Sequence, residues 1–184
     1  MKHIATVALM FNLGVAGVYA QERPVKMMFS GTNVATMINL KPDTVTDEHH
    51  SAGNGTFGAF TFRELHADGT APQPPSGCTG PNFAVVAGAG VFSFQDGSLL
   101  IVTVKDGSGC IDLAAGNAAL IVNYQITGGT GRFNAASGAL ALTATWSPLL
   151  FNGPSGAVFL TSTGKFEGTV LGVGIEEQRQ EERQ

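Results

Sequence analysis

The stretch Gly58-Ala59-Phe60-Thr61-Phe62-Arg63-Glu64-Leu65-His66 alternates with a period of two, which puts Glu64 and His66 on the face that carries Phe60 and Phe62. A carboxylate beside an imidazole on an apolar face is the raw material of a proton-transfer pair, since burial raises a carboxyl pKa and imidazole titrates near neutrality. If that face lines a closed sheet, the pair stands at a cavity mouth as acid and base. The sequence favours a plainer outcome, in which the strand has left the core by Arg63 and both side chains are solvated. Tyr124 shares a face with Leu120, Val122 and Ile126, and Trp146 shares one with Leu140, Leu142 and Ala144. Both read as large core side chains, each with a polar handle that seeks a hydrogen bond. Tyr124 and Trp146 are ligand contacts only if the interior holds a cavity.

Other chemistries are written more thinly. Asp47-Glu48-His49-His50 has metal-ligand residue types, but adjacent residues on a strand point to opposite faces, and the stretch falls between predicted strands. It reads as a solvated loop, and no metal site is predicted. No Ser-His-Asp order and no G-x-S-x-G occur. The loop Thr127-Gly128-Gly129-Thr130-Gly131 imitates the start of a dinucleotide fingerprint, yet Asn134 stands where a third glycine belongs and no Asp or Glu lies between Asp112 and Glu167 to take a ribose. The segment after Gly138, ALALTATW, alternates as a strand does. No cofactor is expected. Gly128, Gly129 and Gly131 are read instead as a tight strand-to-strand corner, with Phe133 filling the space behind it.

The elements that must position these residues are strands. Glycine is abundant at 25 residues, charge is low at 13%, and apolar residues come in short runs between Gly, Asn, Asp, Pro and Ser. The clearest hairpin turns at Asp96-Gly97, with Gln95 facing Ser98, Phe94 facing Leu99 and Phe92 facing Ile101, so that Phe92, Phe94, Leu99 and Ile101 share a core face. Further strands are predicted over 26–30, 33–39, 55–65, 118–126, 139–146, 157–162 and 165–170. Residues 66–82 form a proline-rich surface loop. Residues 173–184 are a polar tail, a frayed helix or a disordered end.

Residues 1–20 have a cationic start at Lys2, an apolar run from Ile4 to about Val18, and small residues at Val18 and Ala20, the signature of a cleaved signal peptide. Residues 21–172 then form one domain, secreted or periplasmic. Loss of Lys2 takes the formal charge from −4 to −5. With no basic cluster, nucleic-acid binding is not expected, and neither is a membrane partner once the signal is cleaved. One Trp and two Tyr are too few for the aromatic girdles of an outer-membrane barrel. Two cysteines in an exported chain, Cys78 and Cys110, most simply form one disulfide. The hairpin register extended outward puts Cys110 opposite Phe83, close to Cys78, and closing a loop of about 33 residues contributes roughly 3–4 kcal/mol in the chain-entropy account.

The corner carries a resemblance. Ile126, Gly128, Gly129, Thr130, Gly131, Phe133, Ala136 and Gly138 match the pattern I-x-G-G-[ST]-G-x-F-x-x-A-x-G of the allene oxide cyclase and dirigent barrels. GVFSFQDGSLLIVTV with GSGCID resembles the central hairpin of small exported bacterial proteins of that kind, and GTFGAFTF and TGKFEGTV resemble their flanking strands. The likeness spans about residues 53–172. It implies an all-β antiparallel barrel of about eight strands with a partly apolar cavity, and no bound cofactor. No cavity set of the plant enzymes matches this sequence residue by residue, so function is left among three expectations: an exported barrel holding a small apolar molecule or simply packed, a cofactor-free cyclase or isomerase using Glu64, His66 or Tyr124, and a surface or assembly module without ligand.

Overall fold

The computed structural model describes residues 22–71, 73, 79–151 and 157–174. Eight antiparallel strands form a closed barrel in sequence order: β1 (Arg23–Thr36), β2 (Thr44–Gly55), β3 (Phe60–Gly69), β4 (Asn82–Phe94), β5 (Leu99–Asp112), β6 (Asn117–Gly129), β7 (Ser137–Phe151) and β8 (Ala157–Leu171), with β8 pairing back onto β1. Closure removes the free edges that an open sheet of this length would expose. Among the described residues a 3-10 turn, Gly131–Phe133, lies between β6 and β7.

Several sequence expectations change, among them the 66–82 loop, whose first residues to Gly69 belong to β3. Asp47 to His50 lie inside β2, not in a loop. The strand escapes a period-two search because its inward residues, Asp47, His49 and Ser51, are polar, so alternation of polarity vanishes while alternation of burial persists. The expected pairs 26–30/33–39 and 157–162/165–170 are each one long strand running through a central glycine, Gly31 and Gly164, where a Cβ would strike the backbone of the neighbouring strand. The central hairpin is shifted by one residue. Its turn is the three-residue loop Gln95-Asp96-Gly97, with Gly97 at φ 79 and the Phe94 amide donating to the Ser98 carbonyl at 3.0 Å. Phe92 therefore pairs with Leu100, and Val91 with Ile101. Leu100 and Val102 face inward with Phe92 and Phe94, while Ile101 turns to the surface at 36% exposure.

One end of the barrel is plugged. Both termini of the described chain and the turns after β2, β4 and β6 gather there, and Phe57, Phe94 and Phe133 pack edge-on and tilted at centroid separations of 4.8–6.2 Å. The Arg132 guanidinium lies 4.9 Å from the Phe94 ring centre and 5.0 Å from that of Phe133, donates to the Phe57 carbonyl at 2.7 Å, and approaches Asp96 at 3.3 Å. Gly131 holds φ 60 at this corner, and only the three-residue 3-10 turn that it opens and then β7 follow, not the α-helix that a phosphate cradle requires. Further in, Phe62, Phe92 and Phe166 meet at 4.3–5.0 Å across the lumen, from β3, β4 and β8. The apolar half of the interior is filled by the protein's own rings.

Outward positions in mid-strand carry charge. Glu48 pairs with Arg63 and His50, and Lys26 and Lys165 both reach Glu167. No helix among the described residues is long and apolar enough to cross a membrane.

Candidate functional site

The other half of the lumen, toward the turns after β1, β3, β5 and β7, is polar. Register puts His49 of β2 opposite Glu64 of β3, and Asp47 opposite His66, all on the inward face. On the far side, Asn33 of β1 stands opposite His49. On β4 the residues opposite Glu64 and His66 are Gly90 and Gly88, which add no side chain to the lumen beside them. Asp68 continues the inward row of β3, where a bulge shifts the pairing with β4. Tyr124 from β6, Trp146 from β7 and Ser162 from β8 complete the ring.

Glu64 is the hub. Its Oε1 accepts the Tyr124 hydroxyl proton at 2.8 Å, and its Oε2 lies 3.6 Å from His66 Nδ1 and 3.9 Å from His49 Nδ1. Those two contacts exceed hydrogen-bond length, so they act coulombically. His49 is held from its other side by Ser162 Oγ at 2.9 Å from Nε2. His66 turns Nε2 toward Asp68 Oδ2 at 3.8 Å and stacks on Trp146, centroids 5.6 Å apart and planes 25° apart. One ligand atom from each of Asp47, His66 and Asp68 falls within 4.8 Å of the others.

Glu64 and His66 are 3% and 1% exposed. The expectation that this pair is solvated therefore fails: β3 runs through the core for its whole length, and Arg63 points outward between two inward residues. Burial works against the charged form of Glu64, but His66 and His49 outweigh it and hold the carboxyl down at about 2. Burial likewise opposes imidazolium at His66, and Glu64, with Asp68 and Asp47 behind it, lifts that ring to about 9. Asp68 moves the other way, raised by burial against the pull of His66, with Asp47 and Glu64 adding to the rise, to about 7. The Tyr124 hydroxyl is pushed well above its ordinary range by burial and by the Glu64 charge.

Several polar atoms in this half have no hydrogen-bond partner although they are shielded from solvent: both ring nitrogens of His66, Asp68 Oδ1, Trp146 Nε1 and the Asn33 amide. Native interiors leave few such atoms, and their clustering at one mouth calls for a specific explanation. Among the described residues, the plugged Phe-rich end has one such atom, Arg132 Nε.

Tyr124 and Trp146 are core side chains at this cluster: the Tyr124 hydroxyl is bonded to Glu64, and the Trp146 ring stacks on His66 with its Nε1 unbonded. Gly128, Gly129, Gly131 and Phe133 lie at the opposite, plugged end and take no part in it. Cys110 stands opposite Asn82, one residue from the expected Phe83, and Cys78 lies outside the described residues. His49, Asp47 and Asp68 were not expected at the site. The signal that would have found the first two is the strand length needed between Thr36 and Phe60 to close the sheet. An open concavity of about 570 Å³ lies elsewhere, on the outer face of β1 to β4 around Ser30, Ala52, Thr61, Arg63, Val91 and Ser93. No protein-family model, curated protein or solved structure matches the chain.

Proposed function

We propose that the chain is an exported barrel, of the allene-oxide-cyclase-like kind that its corner motif resembles, which takes a small polar ligand at the loop-bearing mouth rather than an apolar molecule in the lumen. The observation that carries this is His66, 1% exposed with both ring nitrogens unpartnered, amid Asp68, Trp146 and Asn33 atoms in the same state. A bound ligand that satisfies these atoms recovers roughly 1–3 kcal/mol for each donor or acceptor otherwise left unmade. The closed eight-strand order and the Gly131 corner are compatible with the resemblance, and the N-terminal Lys2 with its apolar run supports export. Mid-strand charges outside and phenylalanines inside are the reverse of a membrane barrel, which supports an aqueous setting.

The Tyr124–Glu64 hydrogen bond favours a second reading, a cofactor-free cyclase or isomerase. It is the weaker one. A carboxyl held at about 2 and an imidazole at about 9 are both charged at neutral pH, and each is a poor match for proton exchange there. The pair serves better to orient His66 than to turn over substrate.

A native mass spectrum of the protein recovered from its own host tests the proposal. A retained mass beyond that of the polypeptide, lost in His66→Phe, is the expected result. A bare polypeptide mass for both proteins counts against a mouth ligand.

A further inference from the structure

We infer that the mouth ligand is a divalent transition-metal cation, with zinc the reference ion, held by the carboxylates of Asp47 and Asp68 and by Nε2 of His66. This deepens the reading of the mouth as a ligand site and rests on it. Imidazole nitrogen with carboxylate oxygen is a donor set suited to such ions. Cross-strand pairing fixes Asp47 beside His66, and the two-residue step along β3 fixes Asp68 on the same face. With the donor atoms already within 4.8 Å of one another, ligation at about 2.0–2.2 Å requires side-chain rotation and no movement of strands.

An acidic cluster alone would not carry this. The independent observation is the buried His66 ring, which has neither nitrogen hydrogen-bonded and presents its two nitrogens to two different carboxylates. Nδ1 faces Glu64, whose other oxygen is pinned by Tyr124. A proton retained on Nδ1 and directed at Glu64 leaves the Nε2 lone pair aimed at Asp68, the carboxylate–histidine–metal arrangement that sets tautomer and basicity at metal sites. The charge balance points the same way. Glu64, Asp47 and Asp68 gather around His66 and His49, and among the described residues no lysine or arginine forms an ion pair with any of them. A divalent cation offsets the excess of carboxylate, and its binding releases any proton held on Nε2 to solvent. Three protein donors leave coordination positions for water or an anion.

Trp146 is the single tryptophan of the chain and stacks on His66, so its emission reports the site. The test is titration of chelator-treated mature protein with Zn²⁺, followed by Trp146 fluorescence and by calorimetry. A saturable change at one equivalent is expected. Asp68→Asn and Asp47→Asn each relieve carboxylate crowding and so keep the fold; each should weaken Zn²⁺ by at least about 100-fold, the upper end of what even an outer-shell change costs. Glu64→Gln, which keeps an acceptor for Tyr124, should weaken it by about 10–100-fold. His50→Ala, at the exposed Glu48–His50 pair, should change nothing. Binding abolished by His50→Ala and unaffected by Asp68→Asn overturns the assignment. So does wild-type protein that binds no Zn²⁺ up to millimolar concentration: if its native mass spectrum then shows an organic molecule, only the metal falls, and if it shows the bare polypeptide, the mouth reading falls with it.

Discussion

Removing one oxygen atom, by Tyr124→Phe, probes how dry the polar half is. The Tyr124 ring packs against Phe62 and Phe166 at centroid distances of 6.2 and 6.3 Å, contacts that phenylalanine reproduces. What disappears is the 2.8 Å hydrogen bond to a carboxylate that, like the tyrosine itself, is buried. A hydrogen bond to a charged group contributes about 1.5–3 kcal/mol, and Glu64 Oε1 would be left without a donor in a place that water does not reach. For a domain of this size that corresponds to a fall in Tm of about 3–12 °C. The assay is urea unfolding of wild type, Tyr124→Phe, Glu64→Gln and the double variant, reading midpoint and slope. The slope should stay constant. In the Glu64→Gln background the tyrosine change should cost less, about 1 kcal/mol, because its partner is then neutral, which gives a coupling of at least about 0.5 kcal/mol. A Tyr124→Phe protein within about 0.5 kcal/mol of wild type would refute the argument, since it would mean that solvent replaces the hydroxyl and that Glu64 is not sealed.

Other consequences are equally checkable. Once residues 1–20 are removed, Tyr124 is the only tyrosine left, so absorbance near 295 nm titrates it alone. Burial and the Glu64 charge both disfavour phenolate, so the folded protein should show no phenolate at the pH where a free tyrosine ionises; the unfolded chain ionises near 10, hence stability falls as pH rises beyond that value, and a reversible titration at 10 with the fold intact contradicts the burial. At the plugged end, Gly131→Ala combines a left-handed backbone at φ 60 with a Cβ that strikes Ser98 Oγ, and Gly129→Ala drives a Cβ into the Leu99 carbonyl. Each should cost more than about 1 kcal/mol in thermal or urea unfolding, Phe133→Ala about 3–5 kcal/mol, and none of the three should alter Zn²⁺ binding. Peptide mapping without reductant should find Cys78 joined to Cys110 in a chain that begins at Gln21; two alkylated thiols, or an intact Met1, would contradict the export reading.

The barrel was legible wherever inward residues are apolar. Phe60, Phe62, Phe92, Phe94, Leu120 to Ile126 and Leu140 to Trp146 alternate plainly, and they mark β3, β4, β6 and β7. Legibility failed where the interior turns polar. In β2 the inward residues Asp47, His49 and Ser51 carry no hydrophobic signal, so the strand that supplies His49 and Asp47 to the site looked like a loop. Glu64 and His66 were recognisable as a pair on one face, but not as buried, because their burial depends on partners from β1, β2, β6, β7 and β8 that only closure of the sheet brings near. The one-residue error at Asp96-Gly97 has a different origin: a two-residue and a three-residue turn share the same Asp-Gly dipeptide, and Gly97 at positive φ serves either.

The claim on which the account turns is that the polar mouth is a built ligand site centred on His66. Anomalous diffraction at the zinc edge, from crystals of the mature protein exposed to one equivalent of Zn²⁺, addresses it most directly. The predicted result is a single strong peak within about 2.0–2.2 Å of His66 Nε2 and of one oxygen each from Asp47 and Asp68, with Glu64 and Tyr124 behind the ring. An empty mouth, with zinc on the exposed Glu48–His50 pair or nowhere, would contradict it.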